Sequence, residues 1–464
     1  MTAPLSAGPH PVLDPGFQPA AQARRAWAAR TAASGQPVPV QLALEQSDGS
    51  VIRHHLDVLP ADHPEAAHNL RHLEREVKFL LWSRGGFRLH IDAPAPLVSA
   101  LQKHYGENPL GQFDATIMGG RIYERRFEVV GCRAADLPGE RMMTRPLGRH
   151  LEGCRIGFDL GASDVKCAAV IDGEPVFSEE FPWHPVPEKD PQYHYDFIQH
   201  VLQQAAAKLP RVDAIGGSSA GVYVNNRVKV ASLFRSVPSD LFESRVKDLF
   251  LDIQRAWKGI PMDVVNDGEV TALAGSMSLN KNAVLGIALG SSEAVGFVTP
   301  AGTITNWLNE LAFAPVDYRA DAPADEWSGD RGCGVQYFSQ QAVGRLLRPA
   351  GIEVAADLPL PERLKQVQAL MAKGDPRAAA IYQTIGVYLG HTVAHYADFY
   401  PLENVLILGR VTSGEGGAII LDEAQRILNS CYPEVAQTVH FHTPSERDKR
   451  HGQAIAAASL PVLH

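Results

Sequence analysis

Cysteine is scarce and scattered in this sequence: Cys132, Cys154, Cys167, Cys333 and Cys431, with no C-x-x-C pair. An odd, dispersed set argues against a disulfide framework and against a cysteine-rich zinc site, and points to a reducing, cytoplasmic setting. No apolar run approaches the roughly 20 residues of a membrane span. The first 24 residues lack a basic start followed by a long apolar stretch, so neither a signal peptide nor an anchor is predicted. A strong positive field is missing too. Residues 1–150 hold 17 Lys and Arg against 15 Asp and Glu, a surplus too small to predict nucleic-acid binding. The remainder is acidic, and the whole chain carries a net charge of −9.

What is present suits a soluble globular protein of two or three domains: 464 residues, 45% hydrophobic and 20% charged. Residues 1–36, rich in Ala, Pro and Gly, are expected to form a flexible arm. Residues 38–44 and 51–59 alternate like strands around the turn Ser47-Asp48-Gly49. Residues 66–82 have helical spacing, with Leu70, Leu73, Val77, Leu80 and Leu81 along one side, stopped by Gly85-Gly86. Strands over 87–91 and 126–130 and a helix over 96–105 complete a small α+β accessory module, 37–150, ending in a linker. No chemical motif is visible in it. From Arg155 onward strands alternate with helices, which predicts an α/β domain.

The most informative pattern is internal. Shifting the chain by 129 residues overlays Ile156-Gly157-Phe158-Asp159-Leu160-Gly161-Ala162-Ser163-Asp164 on Leu285-Gly286-Ile287-Ala288-Leu289-Gly290-Ser291-Ser292-Glu293. A glycine without Cβ lets backbone approach an anion, and a tight turn of small residues makes a nest of N–H groups for phosphate oxygens. One copy alone is also an ordinary hairpin turn. Two in register are what a polyphosphate gripped from both sides requires. Asp159 aligns with Ala288; a carboxylate there would repel phosphate but can hold Mg²⁺ through water, or it can cap the turn.

The run Asp159-Leu160-Gly161-Ala162-Ser163-Asp164-Val165-Lys166 resembles the first phosphate motif of the actin, Hsp70 and sugar-kinase superfamily. The order of motifs over about 154–460 resembles the ROK family (repressors, open reading frames and sugar kinases). Its connecting segment is similar to Gly216-Gly217-Ser218-Ser219-Ala220-Gly221, its catalytic segment to Asn266-Asp267-Gly268-Glu269, and its adenosine segment to Tyr400 through Gly409 and Arg410. The resemblance implies a two-lobed actin-like, ribonuclease H-like ATPase fold, with a small lobe at 151–275 and a large lobe at 276–464. A C-terminal helix could pack back on the small lobe. It implies ATP and Mg²⁺ as cofactors, with the nucleotide at Gly161, Ala162, Ser163, Gly290, Ser291, Ser292, Gly409 and Arg410 and the metal at Asp159. Asp267 is implied as general base, and the acceptor is expected at Asn266, Glu310, Gln336 and Ser219. A glycine at 409 is expected to leave room for the flat adenine ring.

The departures from that family are specific. Its Glu-x-Gly-His segment reads Glu310-Leu311-Ala312-Phe313, so the zinc-binding His is replaced by Phe313, and of its zinc cysteines only Cys333 remains. Zinc needs about four N or S ligands, so none is predicted. The glutamate expected two residues after that cysteine falls on Val335, leaving Gln336 as the nearby polar group. Glu293 puts an extra carboxylate beside the second phosphate loop. The predicted activity is ATP-dependent phosphorylation of a hexose, amino sugar or inositol. The alternatives are a non-catalytic sugar sensor and a repressor. Residues 1–150 argue against the repressor, since no pair of short helices around a turn is evident. No nucleic-acid or membrane partner is expected, and a homodimer is the default.

Overall fold

The alternation in residues 38–59 is realised as an antiparallel hairpin in the computed structural model, which describes residues 9–143, 146–444 and 448–463. Strands β1 (Val38–Glu45) and β2 (Val51–Val58) are joined by β3 (Arg88–Asp92), antiparallel to β1, and β4 (Glu128–Gly131), parallel to β3. The order is β2-β1-β3-β4. The helix expected over 66–82 runs Asn69–Arg84 and is buried almost all round, its charged Glu74, Arg75, Glu76 and Lys78 included. Buried charges persist only where they are paired, so these four must have partners.

Two expectations for this segment fail. Residues 9–36 are not a loose arm. They include the helix Ala20–Ala33, and Phe17 lies buried 4.7 Å from the Tyr388 ring. The Asp14 carboxylate accepts from Arg319 at 2.6 Å, Arg345 at 2.9 Å and Tyr388 at 2.6 Å. The helix has no side-chain cap and no apolar stripe beyond Ala20, Ala21, Trp27 and Thr31, so nothing local announces it. Residues 1–8 lie outside the described residues. A pair of short helices does exist, Ala95–Glu107 and Pro109–Ala115, joined at Asn108, whose side chain caps the second. Asp114 of that second helix is buried and accepts from the Trp82 indole and the Lys78 ammonium, which turns this side of the helix inward.

Two further sheets follow. The first contains β5 (Cys154–Leu160), β6 (Asp164–Ile171), β7 (Glu174–Pro182), β8 (Ala214–Ser219) and β11 (Met262–Asn266), in the order β11-β8-β5-β6-β7. A small hairpin, β9 (Val222–Val224) and β10 (Arg227–Val230), stands beside it. The second sheet contains β12 (Val284–Leu289), β13 (Glu293–Val298), β14 (Asn404–Leu408) and β15 (His440–His442), in the order β13-β12-β14-β15. Strands β5, β8 and β11 are parallel, as are β12, β14 and β15. Helix Asp267–Leu279 leaves β11 and packs on β12 and β13, so it joins the two sheets. Helix Asp448–Ala458 lies against β5 and β8, where Gly157 and Gly216 leave no Cβ in the way. Among the described residues no helix is long and apolar enough to cross a membrane.

Beyond a small cluster of Ala43, Val51 and Leu137, the N-terminal residues share their core with the rest of the molecule. Leu42, Val77, Leu81 and Ile91 belong to one continuous apolar cluster with Leu285, Phe297, Tyr388 and Ile407 of the second sheet and its helices. Each such side chain contributes about 1.5–3 kcal/mol on burial, so the N-terminal segment and the second sheet stabilise one another.

Candidate active site

Ligands of parallel α/β sheets gather beyond the carboxyl ends of the strands. Here β5 ends at Asp159 and Leu160, β8 at Ser218 and Ser219, and β11 at Asn266, all on one edge. Asp159 is buried, and its Oδ1 accepts from Ser218 Oγ at 2.6 Å. Lys166 Nζ lies 4.0 Å from its Oδ2. Burial holds the Asp159 carboxyl above its ordinary range, against the pull of Ser218 and Lys166.

Asp267 opens the helix that follows β11. Asn266 caps that helix, its Oδ1 accepting from Gly268 N at 2.7 Å while its Nδ2 donates to Gly221 O at 2.7 Å. The Asp267 carboxylate accepts from Gly268 N at 3.0 Å and stays half-exposed at the sheet edge. The surrounding protein, and after it the Asp159 charge, push its pKa up to about 6. Glu310 approaches from the other sheet's side, its Oε1 3.5 Å from Asn266 Nδ2. Burial and the Asp267 charge push Glu310 up to about 7. One carboxylate from each half of the molecule thus meets at the end of β11, and the Asp267 charge disfavours ionisation of Glu310.

The two glycine turns are related but not identical. Leu160 pairs with Val165 across the first, and Leu289 with Glu293 across the second, so the second is one residue shorter. Gly161 N donates to Asp164 O and Gly290 N to Ser292 O, each at 2.9 Å. Ala162, Ser163, Ser291 and Ser292 are exposed at the tips. The missing residue matters because side chains alternate along a strand, and one step of register reverses every one of them. Asp164 begins β6 but stays half-exposed beside the turn, with Ser163 Oγ donating to it at 2.9 Å. Glu293 begins its strand and points inward, 3% exposed. It therefore does not crowd the Gly290 turn as the sequence suggested.

Glu293 Oε1 lies 3.5 Å from the Tyr396 hydroxyl, and Oε2 has no hydrogen-bond partner. Burial raises its pKa to about 8. A carboxyl protonated in the folded protein and ionised in the unfolded one loses stability as pH rises from about 4.5 to about 8. Glu293→Gln should therefore melt a few degrees above the wild type at pH 8 and level with it at pH 4.5. Equal melting temperatures at both pH values would contradict this protonation state.

Three expected contacts change on inspection. Ser219 is fully buried and its hydroxyl accepts from Tyr223 at 2.6 Å, so it is not free for an acceptor. Gln336 is buried, its amide donating to Gln341 at 2.5 Å. Gly409, just past the end of β14, has φ 103°, and a Cβ there would collide with the Leu289 backbone. That glycine is required by chain packing and a positive φ, not by room for a ring. Arg410, the next residue, is exposed.

Sequence reasoning missed several residues. Tyr223 stands near enough to Asp267 for that charge to help burial raise its own pKa. Glu269 is buried, accepts from Asn309 Nδ2, and is pushed by burial to about 8. Its position two residues after Asp267 was the available signal. Where the resembling family binds zinc, Phe313 packs 4.3 Å from the Trp82 ring, and Cys333 is buried near Lys78. Among the described residues no group of three or more His, Cys, Asp or Glu is placed to hold a metal ion.

No protein-family model matches the chain, and no curated protein matches it in sequence. Solved structures do. A ROK family transcriptional regulator, described as a homolog of the E. coli MLC protein, superposes with TM-score 0.52 at 20% identity, covering 66% of this chain and 78% of its own. The ROK hexokinase from Thermus thermophilus superposes with TM-score 0.50 at 17% identity, covering 66% of this chain and 98% of its own. Two thirds coverage leaves room for an added segment. The chain therefore has the two-lobed, actin-like fold of the ROK proteins, extended by an α+β N-terminal segment.

Proposed function

We propose that this protein transfers the terminal phosphoryl group of ATP to a hydroxyl of a sugar or sugar-like polyol. The observation that carries the reading is Asp267, a carboxylate at the carboxyl end of β11 whose pKa is raised to about 6 beside Asp159 and Glu310. A general base works best with a pKa near the operating pH. In this reading Asp267 accepts the acceptor's hydroxyl proton while Glu310 and Asn266 hold the ring. The turns at Gly161, Ala162 and Ser163 and at Gly290, Ser291 and Ser292 grip the phosphates, and Gly409 and Arg410 border the adenosine. Proximity and orientation supply much of the rest of the rate.

Mg²⁺ fits the donor set. Asp159 and Asp267 repel one another electrostatically, and a hard dication carried with the phosphates would relieve both. Asp159 would hold it through water, where it supplies charge neutralisation to the phosphates. Residues 9–143 belong in this reading to the large half rather than to a separate reader of DNA. A soluble homodimer is the default assembly.

A coupled ADP-release assay over hexoses, amino sugars and inositols tests the proposal, and turnover on none of them would defeat it. Glu310→Gln should raise the acceptor KM by about tenfold and leave kcat within about twofold, because it removes binding common to ground and transition states. An unchanged KM would remove Glu310 from the acceptor site. A second reading, a sugar sensor without turnover, is favoured by the engagement of Ser219 and Gln336 inside the protein. Sugar binding with no ADP release would select it.

A further inference from the structure

The end of helix Asn69–Arg84 is aimed at the segment that carries Glu310. The last four carbonyls of a helix have no partner within it. Here Leu81 O accepts from the Gly85 amide at 2.8 Å. Trp82 O accepts from Glu310 N at 2.9 Å, Ser83 O from Asn309 N at 3.1 Å, and Arg84 O from Leu308 N at 3.3 Å. The segment is thus zipped, residue by residue, onto the helix end.

Side chains close the same contact. The Arg84 guanidinium lies 3.6 Å from the Trp307 ring centroid and 4.3 Å from that of Tyr400, and donates to Phe399 O. Tyr400 donates to Asn309 Oδ1 at 2.7 Å. Asn309 itself has φ 51°, a left-handed conformation that surrounding contacts must hold. One helical stretch upstream, Arg75 Nη2 and Lys78 Nζ reach Asp330 Oδ2 at 3.0 and 2.8 Å. Asp330 leads into the Cys333–Gln336 turn. The same helix therefore grips both the segment that carries Glu310 and the segment that leads to Cys333.

We propose that helix Asn69–Arg84 is a positioning element of the acceptor site, with Arg84 as a positioning residue that sets the place of Glu310. The catalytic consequence rests on the kinase reading; the clamp itself does not. The role this gives the N-terminal segment is to complete the site from within the large half.

Arg84→Met keeps a buried stem and removes the cation. Amide hydrogen exchange in peptides covering 305–313 should quicken about tenfold, with peptides of β5 to β7 unchanged. The acceptor KM should rise about tenfold with kcat and the ATP KM within about twofold, and Arg84→Lys should recover part of the loss. Trp307→Phe loosens the clamp from its other side and serves if Arg84→Met does not fold. Unchanged exchange over 305–313 in a folded variant would overturn the proposal, as would a fall in kcat with the acceptor KM unmoved. If the wild type turns over no acceptor, the kinase reading fails, and the exchange comparison still decides the clamp.

Discussion

Asp267→Asn should lower kcat by about 100- to 10,000-fold, the usual contribution of a positioned general base. The substitution keeps the shape and the bond from Gly268 N, which reaches Asp267 Oδ1 at 3.0 Å, so the fold should survive. ATP affinity should change little, because the residue faces the acceptor in the proposed reaction. The pH profile supplies a second check. A base acts as the carboxylate, and the folded pKa of Asp267 is raised to about 6 by burial and by Asp159. Wild-type kcat/KM should therefore fall about tenfold per pH unit once the pH is well below 6. Glu310 is held higher, at about 7, by burial and the Asp267 charge, so the acid limb below pH 6 reports Asp267. In Asp267→Asn the residual rate should lose most of that limb. Near-normal turnover in the variant would show that Asp267 is not the base, and the sensor reading would gain.

The largest effect on stability should come from Lys78→Met. The Lys78 side chain is 1% exposed. Its ammonium donates to both oxygens of Asp114 at 3.0 Å and lies 2.8 Å from Asp330. Burial opposes its charge, and the two carboxylates outweigh burial and hold the ammonium protonated. Asp330 shows the converse: burial would raise its pKa, but Lys78 and Arg75 keep it well below the usual range. Removing one partner of such a network leaves buried charge uncompensated, at a cost of about 3–5 kcal/mol. Met fills most of the volume, so a cavity contributes little of that loss.

The pH dependence of the variant separates charge from packing. Without the lysine, Asp114 has a pKa above its unfolded value by burial and no ammonium to offset it. The folded variant then binds more protons than the unfolded one, and its stability falls as pH rises. The deficit, measured as the shift in urea midpoint against wild type, should be larger at pH 8 than at pH 5. A loss under about 1 kcal/mol at both pH values would mean the network contributes no more than an exposed pair does.

Much of the candidate site was legible as local pattern because turns and caps depend on local chemistry. Gly161 and Gly290 are marked by a repeat, Asp267 by a capped Asn-Asp-Gly turn, and Asp159 by its place at a strand end, all short-range patterns. Glu293 was misjudged because an offset of 129 residues cannot reveal that the second turn is one residue shorter. That single step turns its carboxylate from the loop to the interior. Ser219 and Gln336 looked available because their partners, Tyr223 and Gln341, are set by tertiary packing.

The sequence by itself determined the first hairpin, the helix that follows it and the two glycine turns at strand ends. Periodicity and turn chemistry act over a few residues, and a linear pattern records them. Only the tertiary structure decided that residues 9–143 share a core with the second sheet and that helix Asn69–Arg84 supports Glu310. Backbone carbonyls and a buried lysine carry that support. Carbonyls are common to every residue, and a lysine in a helical run reads as solvent-facing until its two carboxylates, 36 and 252 positions away, are brought to it by the fold.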